Sequence, residues 1–405
     1  MIKDCCAYSF LEGKRLQLGV TGSVAAYKSF EIMRSLQRLG VKVGVTVTRS
    51  GQYFVTPEAY MALSAEPVFT KMFAREEGPF GHLYPGGEAD AFAIVPATAT
   101  TISRIAQGSA EEILSAQALA WSGPIVLAPA MNPRMWANPA NQANIDTLVS
   151  RGHIIVTPGT GLVACGDEGQ GRLADERDIL FAIISSLCPQ DFKGWKVMVT
   201  LGPTREEWDG VRYWTNHSTG AMGAAIAVAA AARGAEVHAV CGPGSPWLPA
   251  VINRYDVVSA REMHAQSLSL WPGMQMGVFT AAVADFSPEP HGKDKFKKAG
   301  NEKGFKLNFS PNPDILQEIG AQKNKDQKII GFAAETGDLH DQVKKKLRRK
   351  MADIIVGNLV GKKDSGFGHG LNTVFVADSS GREEDWPALP KPEVAWRILE
   401  WASLL

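Results

Sequence analysis

The chain has 405 residues, and its 42 lysines and arginines equal its 42 aspartates and glutamates in number. This balance argues against a whole-protein attraction to nucleic acid or to an anionic membrane. With 45% apolar residues, five cysteines, no run of about 18 apolar residues and no apolar leader before Gly13, the sequence predicts a cytoplasmic enzyme with two domains.

The first half alternates apolar runs of strand length with amphipathic runs of helix length, the pattern of a parallel sheet covered by helices. The predicted strands are Arg15–Val20, Val41–Val47, Ala91–Val95, Ile125–Ala128 and Ile154–Val156. The predicted helices are Ala25–Leu39, Pro57–Leu63, Glu111–Trp121, Gln142–Arg151 and Glu176–Leu187.

A break at Cys188-Pro189-Gln190 interrupts this pattern, and a new strand follows at Lys196–Thr200. The restart predicts two domains, 13–188 and 195–405, each Rossmann-like with a parallel sheet in a three-layer α/β arrangement. Later strands are predicted at Glu236–Val240, Met276–Phe279, Lys328–Ile330 and Asp353–Val356, and helices at Gly220–Arg233, Arg261–Ser269, Pro313–Ala321 and Leu339–Met351. The segment 286–311 is polar and long for a loop, which is typical of functional or disordered segments.

Several motifs of the first half follow predicted strands. The turn from Gly19 to Ser23 aims backbone N–H groups at an anion, but it lacks the glycine spacing that is typical of nicotinamide dinucleotide sites. Pro96-Ala97-Thr98 and Pro129-Ala-Met-Asn132 stand at the sheet edge where ligands bind. Cys165 lies in a glycine-rich segment that can act as a flap, and His82 is a candidate base. Ordinary caps and turns would explain each motif taken alone.

Together these motifs resemble the flavin-containing cysteine decarboxylases, specifically the phosphopantothenoylcysteine decarboxylase domain, over about residues 13–187. The resemblance rests on Gly-x-x-Ala-Ala-Tyr-Lys at 22–28, Gly81-His82, Pro96-Ala-Thr98, Pro-Ala-Met-Asn at 129–132 and Ala-Cys-Gly-Asp at 164–167. It implies a flavodoxin-like domain that assembles into trimers and binds FMN, an electron sink for the decarboxylation. The implied FMN contacts are Gly22, Ser23, Pro96, Ala97, Thr98 and Met131. The implied roles are base for His82, carboxylate holder for Asn132 and proton donor for Cys165.

The second half carries a different set of motifs. Residues 218–220 precede a predicted helix and form a candidate phosphate nest. Asp285 follows an apolar strand, where a carboxylate can hold Mg²⁺ against phosphates. The long polar segment contains Lys293, Lys295, Lys297 and Lys298, which can close over a triphosphate. The basic run Lys344–Lys350 has apolar residues at helical spacing, so most of its charges belong to a solvated helix face rather than to a nucleic-acid site.

These blocks resemble the phosphopantothenate–cysteine ligase domain over about residues 195–400. The matching residues are Gly202-Pro-Thr-Arg-Glu206, Asp209, Val211-Arg212, Asn216, Ser218–Gly223, Ala281–Asp285, Lys295-Phe-Lys-Lys298, Asn312-Pro-Asp-Ile315, Gly331–Thr336, Lys346, Lys350 and Gly366-Phe367. The resemblance implies that the carboxylate of 4′-phosphopantothenate attacks the α-phosphate of CTP, after which the amine of cysteine displaces CMP from the acyl cytidylate. It also implies that this half forms a dimer.

The same resemblance implies the site residues of the second half. The implied catalytic residues are Asn216, Arg212 and Lys295. The implied nucleotide contacts are Ser218, Thr219, Gly220, Phe279, Ala281, Asp285, Pro313, Asp314, Ile315, Leu316, Phe332, Lys346 and Lys350. Asp285 is the implied Mg²⁺ ligand.

The complete chain thus resembles the bifunctional family in which this ligase and this decarboxylase are fused. Its expected partners are 4′-phosphopantothenate, L-cysteine and CTP, without nucleic acid or membrane. Three alternatives stay open: a single active half with the other as a flavin-binding or oligomerisation platform, a flavin-binding regulatory subunit, and a nicotinamide reductase. Flavin absorbance and CTP-dependent pyrophosphate release discriminate between them.

Overall fold

A computed structural model describes residues 6–73, 80–84, 86–297, 304–335, 337–359 and 370–405. The chain forms two compact units whose main parts are Tyr8–Cys188 and Pro189–Leu405. Lys298, Thr336, Gly366 and Phe367, which belong to the ligase resemblance, lie outside the described residues. No helix in the described ranges is long and apolar enough to cross a lipid bilayer.

The first unit is built around a parallel sheet of six strands, numbered in chain order. They are β1 Arg15–Val20, β2 Lys42–Val47, β3 Val68–Phe69, β4 Ala91–Ala97, β5 Ile125–Pro129 and β6 Ile154–Ile155. Their order is β3-β2-β1-β4-β5-β6, which is the flavodoxin order once the two-residue edge strand β3 is set aside. The four longest strands are almost entirely buried, as expected when helices cover both faces of a sheet. The predicted α/β class is confirmed.

Helices and one hairpin complete the first unit. The helices are α1 Ser29–Gln37, α2 Pro57–Leu63, α3 Ala99–Gln107, α4 Ile113–Ala120, α5 Pro133–Ala137, α6 Pro139–Ser150 and α7 Glu176–Leu187. The predicted helix Ala25–Leu39 is instead a 3₁₀ turn, Val24–Lys28, capped by Ser23 and followed by α1. The sequence pattern did not predict α3, nor the antiparallel hairpin of β7 (Gly159–Leu162) and β8 (Glu168–Arg172).

The second unit contains an eight-stranded sheet and two small ribbons. Its strands are β9 Lys196–Leu201, β10 Arg205–Glu207, β11 Tyr213–Thr215, β12 Glu236–Cys241, β13 Asn253–Asp256, β14 Met276–Phe279, β15 Phe286–Pro288, β16 Phe309–Pro311, β17 Lys328–Glu335, β18 Ile354–Leu359, β19 Leu371–Asp378 and β20 Glu383–Pro390. The large sheet has the order β13-β12-β9-β14-β17-β18-β19-β20, and its first six strands are parallel. The predicted parallel sheet needs a correction at one edge, because β19 and β20 form a hairpin and pair antiparallel.

The helices of the second unit are α8 Ala221–Ala232, α9 Ala260–Leu270, α10 Ile315–Gln322, α11 Leu339–Lys350 and α12 Lys391–Ser403. Helix α8 is apolar all round, because it packs against β9 on one side and against α12 on the other. A Cβ at Gly223 would come within 2.5 Å of the Leu201 Cβ, so glycine permits this close packing. The N-terminus of α8 is thereby held at the carboxyl end of β9, the edge of the sheet where the candidate site lies.

Candidate functional site

A cavity of about 700 Å³ lies where β9, β14, β17 and β18 end, and we call it the second-unit cavity. This volume is in the usual range for small-molecule sites. Its lining includes all the residues implied as nucleotide contacts together with one of the three implied catalytic residues: Asn216, Ser218, Thr219, Gly220, Phe279, Ala281, Asp285, Pro313, Asp314, Ile315, Leu316, Phe332, Lys346 and Lys350. The shared sheet edge brings together segments that are far apart in sequence.

The N-terminus of α8 forms one wall of the second-unit cavity. Its N-cap residue, Gly220, has a left-handed backbone conformation (φ +69°). No side chain of the described residues caps this end of the helix. The Gly220 N–H donates to the Ser218 Oγ at 3.3 Å, which closes the turn before the helix. A helix end with uncapped N–H groups and a positive dipole is a suitable binding site for phosphate.

Two lysines of α11 form another wall of the second-unit cavity. Lys346 Nζ donates to the Phe332 carbonyl at 2.6 Å, and Lys350 pairs with Asp314. Burial lowers the pKa of Lys346, although the nearby Glu335 acts in the opposite direction. Burial alone would raise the pKa of Asp314, but the hydrogen bond from Lys350 holds that pKa below its ordinary value. The wall therefore presents cations whose charge is only partly neutralised by the protein.

Asn216 and Asp285 lie at one end of the second-unit cavity. Asn216 Nδ2 donates to the carbonyl oxygens of Ala282 and Val283, at 3.3 and 3.0 Å, so the amide is fixed against the segment that leads to Asp285. The Asp285 carboxylate is exposed. No group of three potential metal ligands occurs among the described residues, and Mg²⁺ usually needs only one or two carboxylates when phosphates supply the other ligands. Asp285 therefore fits such an ion.

Arg212 and Lys295, the other two implied catalytic residues, do not line this cavity. Both belong to segments held by Asp209, whose side chain is fully buried. Asp209 Oδ1 accepts from the backbone N–H groups of Val211 and Arg212, at 2.8 and 2.7 Å. Its Oδ2 accepts from the Phe296 N–H at 3.0 Å and from Arg212 Nη1 at 3.3 Å. Asp209 thus joins the loop of Arg212 to the segment of Lys295.

Among the polar lining residues that the sequence reasoning missed, three come from the last elements of the chain. They are Asn358, Asn372 and Lys391, from β18, β19 and the first turn of α12. The two asparagines could have been recognised from the sequence, because an amide side chain within an otherwise apolar strand is unusual unless it has a hydrogen-bond partner. The pattern predicted no element after Val356, so these side chains had no place in the expected site.

A second cavity, of about 890 Å³, lies in the first unit, and we call it the first-unit cavity. Four of the six implied FMN contacts line it: Gly22, Ser23, Thr98 and Met131. Pro96 and Ala97 do not, since both are buried within β4. Arg104 and Glu112, which form an ion pair at 2.6 Å, also line this cavity.

The turns around the first-unit cavity are shaped for close approach of a ligand. A Cβ at Gly22 would come within 2.5 Å of the Ser50 Cβ, so only glycine fits there. Thr21 Oγ1 donates to the Pro96 carbonyl at 2.6 Å and accepts from the Thr98 N–H at 3.1 Å, which holds the two turns together. Small residues with available N–H and hydroxyl groups at the ends of parallel strands fit the phosphate of a flavin nucleotide.

Asn132 and Cys165 are in contact, although they are far apart in sequence. Asn132 Nδ2 lies 3.1 Å from Cys165 Sγ and donates to Asp167 Oδ2 at 2.6 Å. Arg134 Nη2 pairs with the same carboxylate at 2.9 Å. The hydrogen bonds from Asn132 and Arg134 lower the pKa of Asp167, so this carboxylate stays ionised. Cys165 is exposed in the turn between β7 and β8, and neither it nor Asn132 lines the first-unit cavity.

His82 also lies outside the lining of the first-unit cavity. Its Nδ1 is buried and has no hydrogen-bond partner in the described part of the chain. The preceding carbonyl, that of Gly81, accepts from Gln117 Nε2 at 2.8 Å. Thr46 Oγ1 in turn donates to Gln117 Oε1 at 2.6 Å, so a buried polar chain supports this loop.

Comparisons with known proteins assign both units. The family model described as Flavoprotein matches residues 7–188, and the one described as DNA/pantothenate metabolism flavoprotein C-terminal domain matches residues 192–404. The coenzyme A biosynthesis bifunctional protein CoaBC of Vibrio cholerae is 38% identical over 96% of this chain and 98% of its own length. CoaBC of Escherichia coli is 39% identical over 90% of this chain and 91% of its own length.

Among solved structures, the C-terminal domain of a CoaBC protein is 33% identical and covers 53% of this chain and 97% of its own, with a TM-score of 0.45. The two curated relatives span both units in the same order as this chain. The chain therefore belongs to the family of bifunctional coenzyme A biosynthesis proteins, CoaBC.

Proposed function

We propose that the chain carries two activities of coenzyme A biosynthesis. The second unit joins cysteine to 4′-phosphopantothenate at the expense of CTP, and the first unit decarboxylates the 4′-phosphopantothenoylcysteine to 4′-phosphopantetheine. The observation that carries this proposal is the second-unit cavity, which combines an uncapped helix end, two lysines and a carboxylate at one sheet edge. These groups match a nucleoside triphosphate and its metal ion.

Ligation requires that a poor acyl donor, the carboxylate, becomes a mixed anhydride. The substrate carboxylate attacks the α-phosphorus of CTP and pyrophosphate leaves; the cysteine amine then attacks the acyl carbon and CMP leaves. Lys346 and Lys350 stabilise the developing phosphate charge, and Asp285 would hold Mg²⁺. Asn216 orients the acyl cytidylate for the amine. Lys295 would neutralise phosphate charge from the segment that Asp209 joins to the loop of Arg212, and Arg212 would act beside Asn216.

Decarboxylation needs an acceptor for the electrons that remain when CO₂ leaves. Gly22, Ser23, Thr98 and Met131 would hold FMN, which when bound would supply that acceptor by taking up two electrons from the carbon that bears the substrate thiol and later returning them. His82 removes a proton from the substrate. Asn132 donates to the substrate carboxylate, and Cys165 returns the final proton to carbon. The contact between Asn132 and Cys165 supports one shared substrate position for these two roles.

The assembly and the location of the protein belong to the same proposal. His82, Asn132 and Cys165 lie outside the first-unit cavity of a single chain, which favours a site completed by a second copy. We propose trimers formed through the first unit and dimers formed through the second, in the cytoplasm. Neither nucleic acid nor a membrane takes part.

The test uses purified full-length protein. A yellow preparation with flavin absorbance is expected, together with incorporation of ¹⁴C-cysteine that requires 4′-phosphopantothenate and CTP and releases one pyrophosphate per product. Replacing CTP by ATP measures the nucleotide preference. A colourless protein that still ligates, or a yellow one that never consumes nucleotide, would reduce the proposal to one active half.

A further inference from the structure

Three polar side chains of the second-unit cavity take no part in the proposed mechanism. Asn358 lies near the end of β18, Asn372 near the start of β19, and Lys391 is the first residue of α12. All three line the cavity. Asn372 and Lys391 are 3% and 8% exposed, so the protein has withdrawn both from water.

The two amides are not explained by the fold. The Oδ1 atoms of Asn358 and Asn372 are buried and have no hydrogen-bond partner within the described ranges. Asn358 pairs with Val374, two residues along from Asn372, so the amides are diagonal neighbours on adjoining strands. A buried amide oxygen without a partner destabilises the folded protein. A half-turn of the amide exchanges its oxygen for its NH₂ group, so either asparagine can donate into the cavity.

Lys391 is placed unfavourably for stability. A cation in the first turn of a helix faces the positive end of the helix dipole. Burial further disfavours its charged form and lowers the pKa of Lys391. A lysine that is largely buried and lines a cavity is a candidate for binding an anionic ligand.

The N-terminus of α8 lies beside these side chains. Asn372 Nδ2 is 3.6 Å from the sulfur of Met222, which is in the first turn of α8. Helices α8 and α12 pack against each other, so the N-termini of both helices border the same cavity. The N-terminus of α8, the amides of Asn358 and Asn372 and the buried Lys391 therefore line one cavity.

We propose that Lys391, Asn358 and Asn372 form, with the N-terminus of α8, a subsite for a phosphate group of the ligase substrates. The inference rests on the proposed ligation, which brings two kinds of phosphate into this cavity. One is the leaving pyrophosphate portion of the nucleotide, and the other is the phosphomonoester of 4′-phosphopantothenate. Both have the multiple negative charge and the acceptor oxygens that this set of donors recognises.

Calorimetric titration of the full-length protein distinguishes the two sources. Magnesium pyrophosphate and 4′-phosphopantothenate are titrated separately into the wild type, Lys391→Gln and the matched control Lys345→Gln, which removes an exposed lysine of α11. Lys391→Gln is expected to raise the Kd of one of these ligands about 10- to 100-fold, the range for a lost hydrogen bond to a charged group. The control should change it by less than about twofold. Lys391→Arg should restore part of the affinity.

A second variant guards against misfolding. Asn372→Asp introduces a negative charge into the subsite and should weaken the same ligand at least as strongly as Lys391→Gln, while flavin absorbance and the melting temperature report that both units are folded. Unchanged affinity for both ligands in folded variants, or no binding of either ligand to the wild type, overturns the subsite. A wild type that binds a ligand through Lys391 but releases no pyrophosphate from CTP refutes the ligase proposal and leaves the subsite standing.

Discussion

The two cavities differ in how much of each proposed site a single chain assembles. In the second unit, the phosphate nest, the lysines of α11 and Asp285 all line one cavity. In the first unit, four of the proposed FMN contacts line the cavity, whereas His82, Asn132 and Cys165 stand outside its lining. A nucleotide pocket can be built from strand ends of one sheet. The proposed decarboxylase centre instead uses a hairpin and loops, which a neighbouring chain can bring to the flavin.

Cys165→Ala should cause the largest loss of activity among these variants, and the loss should be confined to decarboxylation by the first unit. Without the thiol, the last proton cannot return to carbon, so formation of 4′-phosphopantetheine should fall by about 10²- to 10⁴-fold, the usual contribution of a general acid. Ligation should continue at the rate of the wild type. The measurement is separation of ¹⁴C-labelled products by chromatography. Thr160→Ala on the same exposed hairpin is the control, and full turnover by Cys165→Ala would remove the thiol from the mechanism.

Asn216→Asp makes the reciprocal test in the other half. The new carboxylate would face the carbonyl oxygens of Ala282 and Val283, so the amide's donors and its orientation are both lost. Amine transfer should fall by about 10²- to 10³-fold, comparable to the loss of one donor that stabilises a transition state. A burst of about one pyrophosphate per site should still appear as the acyl cytidylate accumulates. Normal product formation, as expected for the edge-strand control Asn253→Asp, would contradict the assignment.

The sequence predicted the turn and the helix of the candidate phosphate nest well, because both depend on local sequence. Residues 218–220 lie directly before α8, and a glycine followed by an alanine-rich run specifies both the turn and the helix. The strand that ends at Phe279 was also predicted correctly, since buried parallel strands are continuous apolar runs, whereas β17 continues to Glu335, beyond its predicted end at Ile330. Parallel strands then fix which loops meet at the shared edge.

The contact between Asn132 and Cys165 could not be predicted from local pattern alone. It depends on the β7–β8 hairpin, whose glycines mask the alternation that normally identifies a strand. At Gly171 there is no room for a Cβ beside the Met131 carbonyl, so glycine allows β8 to lie close to this segment. The turn that precedes β8 contains Cys165 and thereby lies near Asn132. The subsite at Lys391 was missed for a similar reason, since it forms only when the antiparallel hairpin β19–β20 brings α12 back to α8.

Asp209→Asn tests whether the second unit depends on the segments that lie outside its cavity. An amide can accept hydrogen bonds through one atom only, so two of the four donors to Asp209 lose their partner in either orientation. Displacement of Lys295 should lower ligase kcat/KM by about 10- to 100-fold. Asp256→Asn, which removes an exposed ion pair, should change it by less than about twofold. Decarboxylation of added 4′-phosphopantothenoylcysteine should be unaffected. Equal ligase rates in Asp209→Asn and Asp256→Asn would show that Asp209 does not position Lys295 for the ligase reaction.

Lys346→Arg should change ligase kcat/KM least of these variants at neutral pH. It should alter the pH dependence of the ligase but not that of the decarboxylase. Burial lowers the folded pKa of Lys346 below about 10.4, so its charge is lost as pH rises through that lowered value. In that same window the unfolded chain binds more protons than the folded one, so this residue makes folding more favourable as pH rises. Ligase kcat/KM should nevertheless decline there, because the phosphates lose a cation.

Arginine keeps its charge above pH 12, so the alkaline decline of ligase kcat/KM should move upward in Lys346→Arg by about one pH unit or more. The decarboxylase profile should be identical in wild type and variant, because its proposed groups lie in the other unit. Lys345→Arg, an exposed neighbour on α11, should leave both profiles unchanged. An alkaline decline that stays in place in Lys346→Arg would mean that another group, not this buried lysine, supplies the titrating charge of the nucleotide site.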